Sequence, residues 1–133
     1  MNNDMSNALD NAERNRLADL YLSFLDMDIR DTVYRYLKSA VILSALCFDD
    51  MKEVYEALEK ENGVSAEQIA GSIDEAIENL PEPVEDLFNK AYCEEEPGFM
   101  PRHKKTDDII AFLGKTFLYI LETNYPLLLL KKK

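Results

Sequence analysis

The chain has 133 residues, of which 26 are acidic and 15 basic, giving a formal net charge of −11, and 47% are hydrophobic. This length and hydrophobic content suit one folded domain with a core and exclude a disordered polymer. The acidic excess disfavours nucleic acid and anionic lipid as partners unless basic residues are segregated on one surface. The N-terminal residues are polar, and no apolar run approaches the roughly 20 residues that span a bilayer. We therefore expect a cytoplasmic protein without a membrane partner.

Hydrophobic periodicity predicts an all-α fold of about six helices, arranged as an orthogonal bundle that contains a helix-turn-helix. Residues 1–28 are assigned to a polar end with an extra helix, residues 29–122 to the main domain and residues 123–133 to a C-terminal tail. The extra helix is predicted from about Asn7 to Leu25. The next helix is predicted from about Ile29 to Cys47, and its apolar surface is wide enough for a central position in the bundle.

Residues 51–80 predict two helices joined by a tight turn. Apolar residues recur at helical spacing on both sides of Gly63. Glycine readily adopts the left-handed conformation that ends a helix. Ser65, with Gln68 three residues later, is typical of a capping box at the start of the second helix. The segment is therefore interpreted as a helix-turn-helix, in which the second helix has the position of a DNA-recognition helix.

Pro81 and Pro83 end this pair of helices, because proline cannot continue a helix interior. A short fifth helix is predicted from Val84, followed by a loop from Cys93 to Lys105. Thr106, which two aspartates follow, predicts the start of the last helix. The apolar stripes predict ten core residues: Leu37, Val41, Val54, Leu58, Ile69, Ile73, Ile77, Phe112, Leu113 and Phe117.

The second helix of the predicted helix-turn-helix is acidic. No lysine or arginine occurs between Gly63 and Leu80. The outward face is predicted to consist of Glu67, Gln68, Gly71, Asp74, Glu75 and Glu78. A DNA-recognition helix enters a polyanion, so the charge of this face conflicts with its position in the motif.

Cys47 and Cys93 are the two cysteines of the chain, and neither belongs to a Cys-x-x-Cys pair. We expect both thiols to be unbridged and packed as small apolar groups. A disulfide between them is the alternative.

Four segments, in this order and spacing, are similar to a known domain: VYRYLKSAVILS (Val33 to Ser44), VYEALEKENGVSAEQIAGSIDEAI (Val54 to Ile77), VEDLFNKAY (Val84 to Tyr92) and HKKTDDIIAFLGKTF (His103 to Phe117). Residues of about 30 to 120 resemble the C-terminal effector domain of the sporulation-initiation response regulator (stage zero sporulation protein A) of endospore-forming bacteria. The resemblance implies an all-helical fold and sequence-specific DNA binding, which in that family is driven by phosphorylation of a separate receiver domain.

The chain departs from that family in two respects. Before residue 30 one helix is predicted and no receiver domain, so we do not expect the chain to accept an activating phosphate in the family's way. Where the family's recognition helix presents arginines, a glutamate and a histidine, this chain has Gln68, Ala70, Gly71, Asp74 and Glu75. Gln68 alone retains a side chain that pairs with an adenine edge. The resemblance thus extends to the scaffold but not to the DNA-reading residues.

These observations favour a non-enzymatic regulatory module whose acidic helix contacts a protein partner, which the charge predicts to be basic. The alternative is a DNA-binding transcription regulator in which a basic run contacts phosphates; that run is Arg102, His103, Lys104 and Lys105. The resemblance favours a homodimer, because the family's effector domains act on paired sites. An enzyme is disfavoured, since the single histidine lies among basic neighbours and no phosphate-binding glycine loop occurs. We expect no catalytic residue, cofactor or metal ion.

Overall fold

A computed structural model describes residues 11–92, 99–102 and 105–123. Over these residues the protein is all-helical, which confirms the predicted fold class. The six α-helices are α1 (Asn11–Tyr21), α2 (Thr32–Leu46), α3 (Met51–Asn62), α4 (Ala66–Glu78), α5 (Val84–Tyr92) and α6 (Thr106–Thr123), and a 3-10 turn (Leu22–Leu25) follows α1. No described helix combines the length and apolar character needed to cross a membrane. The predicted tail, from residue 124 onward, lies outside the described residues.

Short polar side chains set the helix starts. Asp31 accepts a hydrogen bond from the Val33 N–H at 3.0 Å, so α2 begins at Thr32 rather than near Ile29 as the sequence predicted. Asp50 starts α3 in the same way, because its carboxylate accepts from the backbone N–H two residues later at 3.0 Å. These caps satisfy N–H groups that have no partner within the helix.

Residues with left-handed backbone conformation end two of the helical segments. Gly63 has φ of 68° at the end of α3, as its position in the sequence predicted. Asp26 has φ of 57° after the 3-10 turn, where the sequence predicted a break between helices. Glycine adopts this conformation without strain, and aspartate tolerates it better than most residues do.

The centre of the fold is the pair formed by α2 and α6. The two helices approach so closely at Gly114 that a Cβ atom there would lie 2.8 Å from the Ser44 Oγ. Eight of the ten predicted core residues are buried. Ile77 and Phe112 are only partly buried, so their prediction was wrong. Ile77 is near the end of α4 and lines an open cleft, and Phe112 packs with its ring centroid 5.6 Å from that of Phe88 at the edge of the core.

An aromatic cluster ties α1 to α5 and α6. Tyr21 is fully buried, and its ring stacks on Phe117 with centroids 5.5 Å apart. Its hydroxyl donates to the Leu113 carbonyl at 3.1 Å, and its own carbonyl accepts from the Tyr92 hydroxyl at 2.7 Å. Burial raises the pKa of Tyr21 well above 10. The N-terminal helix is therefore held in the core by ring packing and by hydrogen bonds that satisfy its buried polar atoms.

Candidate functional site

α4 is turned so that one side lies in the core and the other faces solvent. Ile69 and Ile73 are both fully buried. Their burial fixes the rotation of the helix about its axis, because residues three and four apart share a face. All six residues of the predicted outward face are exposed: Glu67, Gln68, Gly71, Asp74, Glu75 and Glu78. We call these six residues the acidic face.

Hydrogen bonds from the preceding turn fix the start of α4. The Ser65 hydroxyl accepts from the Gln68 N–H at 3.1 Å, which is the serine half of the predicted capping box. The Ala66 N–H donates to a carboxylate oxygen of Glu59 on α3 at 3.3 Å. The first turn of α4 is thus tied both to its own cap and to the helix before it, so the acidic face is already formed before any partner arrives.

The segment that carries the acidic face has many more carboxylates than cations. Residues 49–80 contain ten acidic side chains and two lysines, Lys52 and Lys60. The ion pairs of the described residues join 13 to 16, 28 to 30, 19 to 38, 82 to 90 and 86 to 102, and none of them involves residues 49–80. Negative potential therefore extends outward from α3 and α4, since no ion pair among the described residues neutralises these carboxylates.

One tyrosine links the inner side of this region to α6. The Tyr55 hydroxyl donates to the Asp107 carboxylate at 3.0 Å, which connects α3 to the first turn of α6. Burial raises the pKa of Tyr55 above its ordinary value of 10, and the negative charges of Asp107 and Asp74 raise it further. The phenol is therefore neutral at physiological pH and acts as a hydrogen-bond donor.

A cleft of about 600 Å³ lies where the end of α4 meets the starts of α5 and α6. We call it the junction cleft. Its walls include two residues of the acidic face, Asp74 and Glu78, together with Arg102 and Lys105 from the predicted basic run. The structure thus brings one end of the acidic face beside the basic run, although the two are about 30 residues apart in the sequence. His103 and Lys104, the other two residues of that run, lie outside the described residues.

Arg102 already has an acidic partner. Its Nη2 lies 3.4 Å from a carboxylate oxygen of Asp86 on α5, although its side chain is 70% exposed. The backbone just before it is anchored, because Met100 is fully buried and exchanges two hydrogen bonds, of 2.7 and 3.0 Å, with the Asn89 side-chain amide. We call this the Asn89–Met100 clamp. No periodicity signals it in the sequence, since it joins an exposed-looking asparagine to a residue in a predicted loop.

The prediction that both cysteine thiols are packed was wrong for Cys47, which is free and exposed. The reason is that α2 ends at Leu46, so Cys47 occupies the first position after the helix rather than its buried stripe. Cys93 lies outside the described residues.

The described residues contain no group of three or more histidine, cysteine, aspartate and glutamate side chains arranged to hold a metal ion. No protein-family model, no curated protein and no solved structure matches the chain. The similarity to the sporulation regulator's effector domain therefore stays a prediction from the sequence.

Proposed function

We propose that the chain is a cytoplasmic, non-enzymatic regulatory module that acts by protein–protein contact, built like the effector domain of a sporulation transcription factor. In this proposal the acidic face of α4 binds a basic surface on its partner. One observation carries the proposal: the six residues of the face are all exposed, and no described ion pair neutralises the carboxylates among them.

Physical chemistry supports a binding role for such a face. Unneutralised charge on one side of a protein attracts an oppositely charged partner and raises the association rate, and salt weakens the effect. The face is preformed, because Ser65 caps α4 and Ile69 and Ile73 anchor it in the core. A preformed surface loses little conformational entropy on binding, which favours affinity.

The DNA-binding alternative is favoured by the turn between α3 and α4 and by the exposure of Gln68 near the start of α4. It is opposed by charge, because affinity for DNA comes largely from cations that neutralise phosphates. Glu67, Asp74 and Glu75 would approach the DNA without a cation on the same helix. We therefore infer that sequence-specific duplex binding is absent at physiological salt.

Site-specific photo-crosslinking tests the proposal directly. A crosslinking residue at Gly71 is tolerated sterically, because nothing lies within 4 Å of a Cβ atom built there. In cells that make the chain, we expect a defined protein adduct from position 71 and none from the exposed control position 35 on α2. The adduct should disappear when Glu67, Asp74, Glu75 and Glu78 are changed to their amides.

The DNA alternative is tested by selection from a pool of random duplexes followed by fluorescence anisotropy. We expect no enriched motif. A defined motif that binds with submicromolar affinity at about 150 mM salt, and that is lost in Gln68→Ala, would replace the protein-contact proposal by the DNA-binding one. The homodimer that the family resemblance favours is tested separately, since light scattering at the monomer mass over a wide concentration range would exclude it.

A further inference from the structure

We propose that the junction cleft is the anchor point of the acidic face and that it receives an arginine side chain of a basic protein partner. The inference rests on the proposed function and deepens it, because it names the chemical group that is recognised and the place where it binds. It commits to one position at the C-terminal end of α4, whereas the acidic face as a whole runs along the helix.

The floor of the junction cleft is apolar. Val84 and Ile109 are 2% and 5% exposed, and the partly buried Ile77 also lines the cleft. An arginine side chain has a stem of three methylene groups that packs on apolar surface while its charged end stays at a polar rim. The cleft volume of about 600 Å³ leaves ample room for one such side chain.

The rim of the junction cleft is acidic. Among the described residues, the exposed carboxylates of its lining are Asp74, Glu78 and Asp107, and the cations are Arg102 and Lys105. Arg102 pairs with Asp86, a carboxylate that does not line the cleft. The described residues of the rim therefore keep an excess of negative charge, which is complementary to an incoming cation.

Arginine suits this cleft better than lysine does. Its planar guanidinium has five N–H donors and binds carboxylates in a two-pronged geometry, and it loses its water of hydration more readily than an ammonium group. Arginine is also enriched among the residues that dominate binding energy at protein interfaces, where it fills pockets near the centre. An apolar floor beneath several carboxylates is the environment that matches both halves of the side chain.

The test uses the whole chain and three blocked pentapeptides, each with one central residue between glycines: arginine, lysine or norleucine. Binding is followed by the backbone amide signals in heteronuclear NMR spectra. We expect saturable shifts around residues 74–78, 84–86 and 105–109 with the arginine peptide, binding about fivefold weaker with lysine, and no saturable shift with norleucine. Shifts that are equal for arginine and lysine would overturn the choice of arginine.

Two double variants, each of which removes two negative charges, test whether binding depends on the cleft itself or on the general negative potential of α4. Asp74→Asn with Glu78→Gln removes carboxylates of the junction cleft, whereas Glu67→Gln with Glu75→Gln removes carboxylates of the same helix outside it. The first pair should weaken the arginine peptide about fivefold and the second less than about twofold. A third variant, Ile77→Ser, keeps the charge and removes part of the floor, and it should weaken binding while the circular dichroism spectrum stays unchanged.

Equal weakening by the two double variants would overturn the anchor while leaving the proposed function intact, because the acidic face could still attract the partner through its general negative potential and the crosslink from position 71 would persist. Absence of any saturable shift at the cleft would overturn it as well. Loss of the crosslink with retention of arginine-peptide binding would reject the proposed function and leave a bare cation site.

Discussion

Residues 11–48 and residues 49–80 both form helices that bury apolar stripes, but they differ in the balance and the pairing of their charged side chains. The first region has five acidic and five basic side chains, and three of its ion pairs are internal. The second has ten acidic and two basic side chains, and no described ion pair involves it. Both bury apolar stripes in one core. The difference therefore lies in the charged side chains: the first region pairs six of its ten with one another, whereas no described ion pair involves those of the second.

A partly buried network shows how the first region does this. The Tyr34 hydroxyl and the Lys38 ammonium both donate to the Asp19 carboxylate, at 2.6 and 3.2 Å. The Lys38 side chain is only 15% exposed, and its ammonium lies 5.8 Å from the centre of the Tyr34 ring. A charged group held this far from water has to be paired, because an unpaired one is costly to bury. The pairing joins α1 to α2.

The largest expected effect comes from Ile73→Asp, which tests whether the buried side of the acidic region belongs to the common core. Ile73 is fully buried, so the substitution places an unpaired charge among apolar side chains. We expect the free energy of unfolding to fall by about 4 kcal/mol. Urea denaturation measures it, with Asp74→Asn on the exposed side as the control. An unchanged denaturation midpoint would show that α4 does not depend on the core.

The next effect compares paired and unpaired carboxylates. Asp19→Ala leaves Lys38 and Tyr34 without their acceptor, and we expect the free energy of unfolding to fall by about 2 kcal/mol. Glu75→Ala removes an exposed carboxylate with no described ion-pair partner, and the change should stay within about 0.5 kcal/mol. The two variants are compared by urea denaturation at the same salt concentration. If they destabilise equally, the contrast between the two regions does not hold.

Each region contains one tyrosine that donates to a carboxylate, and these predict a loss of stability at high pH. Burial raises the pKa of Tyr34 and of Tyr55 above the ordinary value of 10, and the carboxylates of Asp19 and Asp107 raise them further. The unfolded chain therefore releases these protons first. The stabilisation is complete below pH 10 and declines as pH rises above it. Unfolding measured at pH 9 to 11, a range set by the tyrosine reference value, should show a shallower decline in Tyr34→Phe and in Tyr55→Phe.

The smallest expected effect is a gain in stability from a substitution in α4. Gly71 lies within α4, and nothing occupies the space where a side chain would begin. Gly71→Ala should stabilise the protein by about 0.5–1 kcal/mol, because alanine loses less backbone freedom on entering a helix. Gly114→Ala is the matched change in the α2–α6 pair, where the new Cβ would lie 2.8 Å from the Ser44 Oγ, and it should destabilise instead. If both variants destabilised the protein, the surface at position 71 would not be open.

The fold followed from local signals. Gly63 and Ser65 both act where the sequence placed them, because a cap or a left-handed turn depends on neighbouring residues only. The six residues of the acidic face were identified for the same reason, since helical periodicity with a buried Ile69 and Ile73 decides which side faces out.

The remaining features depend on contacts between distant segments. The junction cleft needs α4, α5 and α6 to meet, and nothing in the pattern of any one helix indicates that Asp74 and Arg102 share its walls. Ile77 is only partly buried because it lines the cleft that forms where these helices meet, although the helical spacing places it on the same side of α4 as Ile73. The burial of Cys47 was predicted wrongly because α2 ends one residue earlier, and a residue beyond the end of a helix no longer follows the spacing of its buried stripe.

The Asn89–Met100 clamp has a consequence for engineering the chain. Because Met100 is fixed to α5 by two hydrogen bonds and by burial, residues 99–102 keep their place independently of the chain that connects them to Tyr92. An epitope tag inserted between residues 93 and 98 should therefore leave the position of Arg102 unchanged.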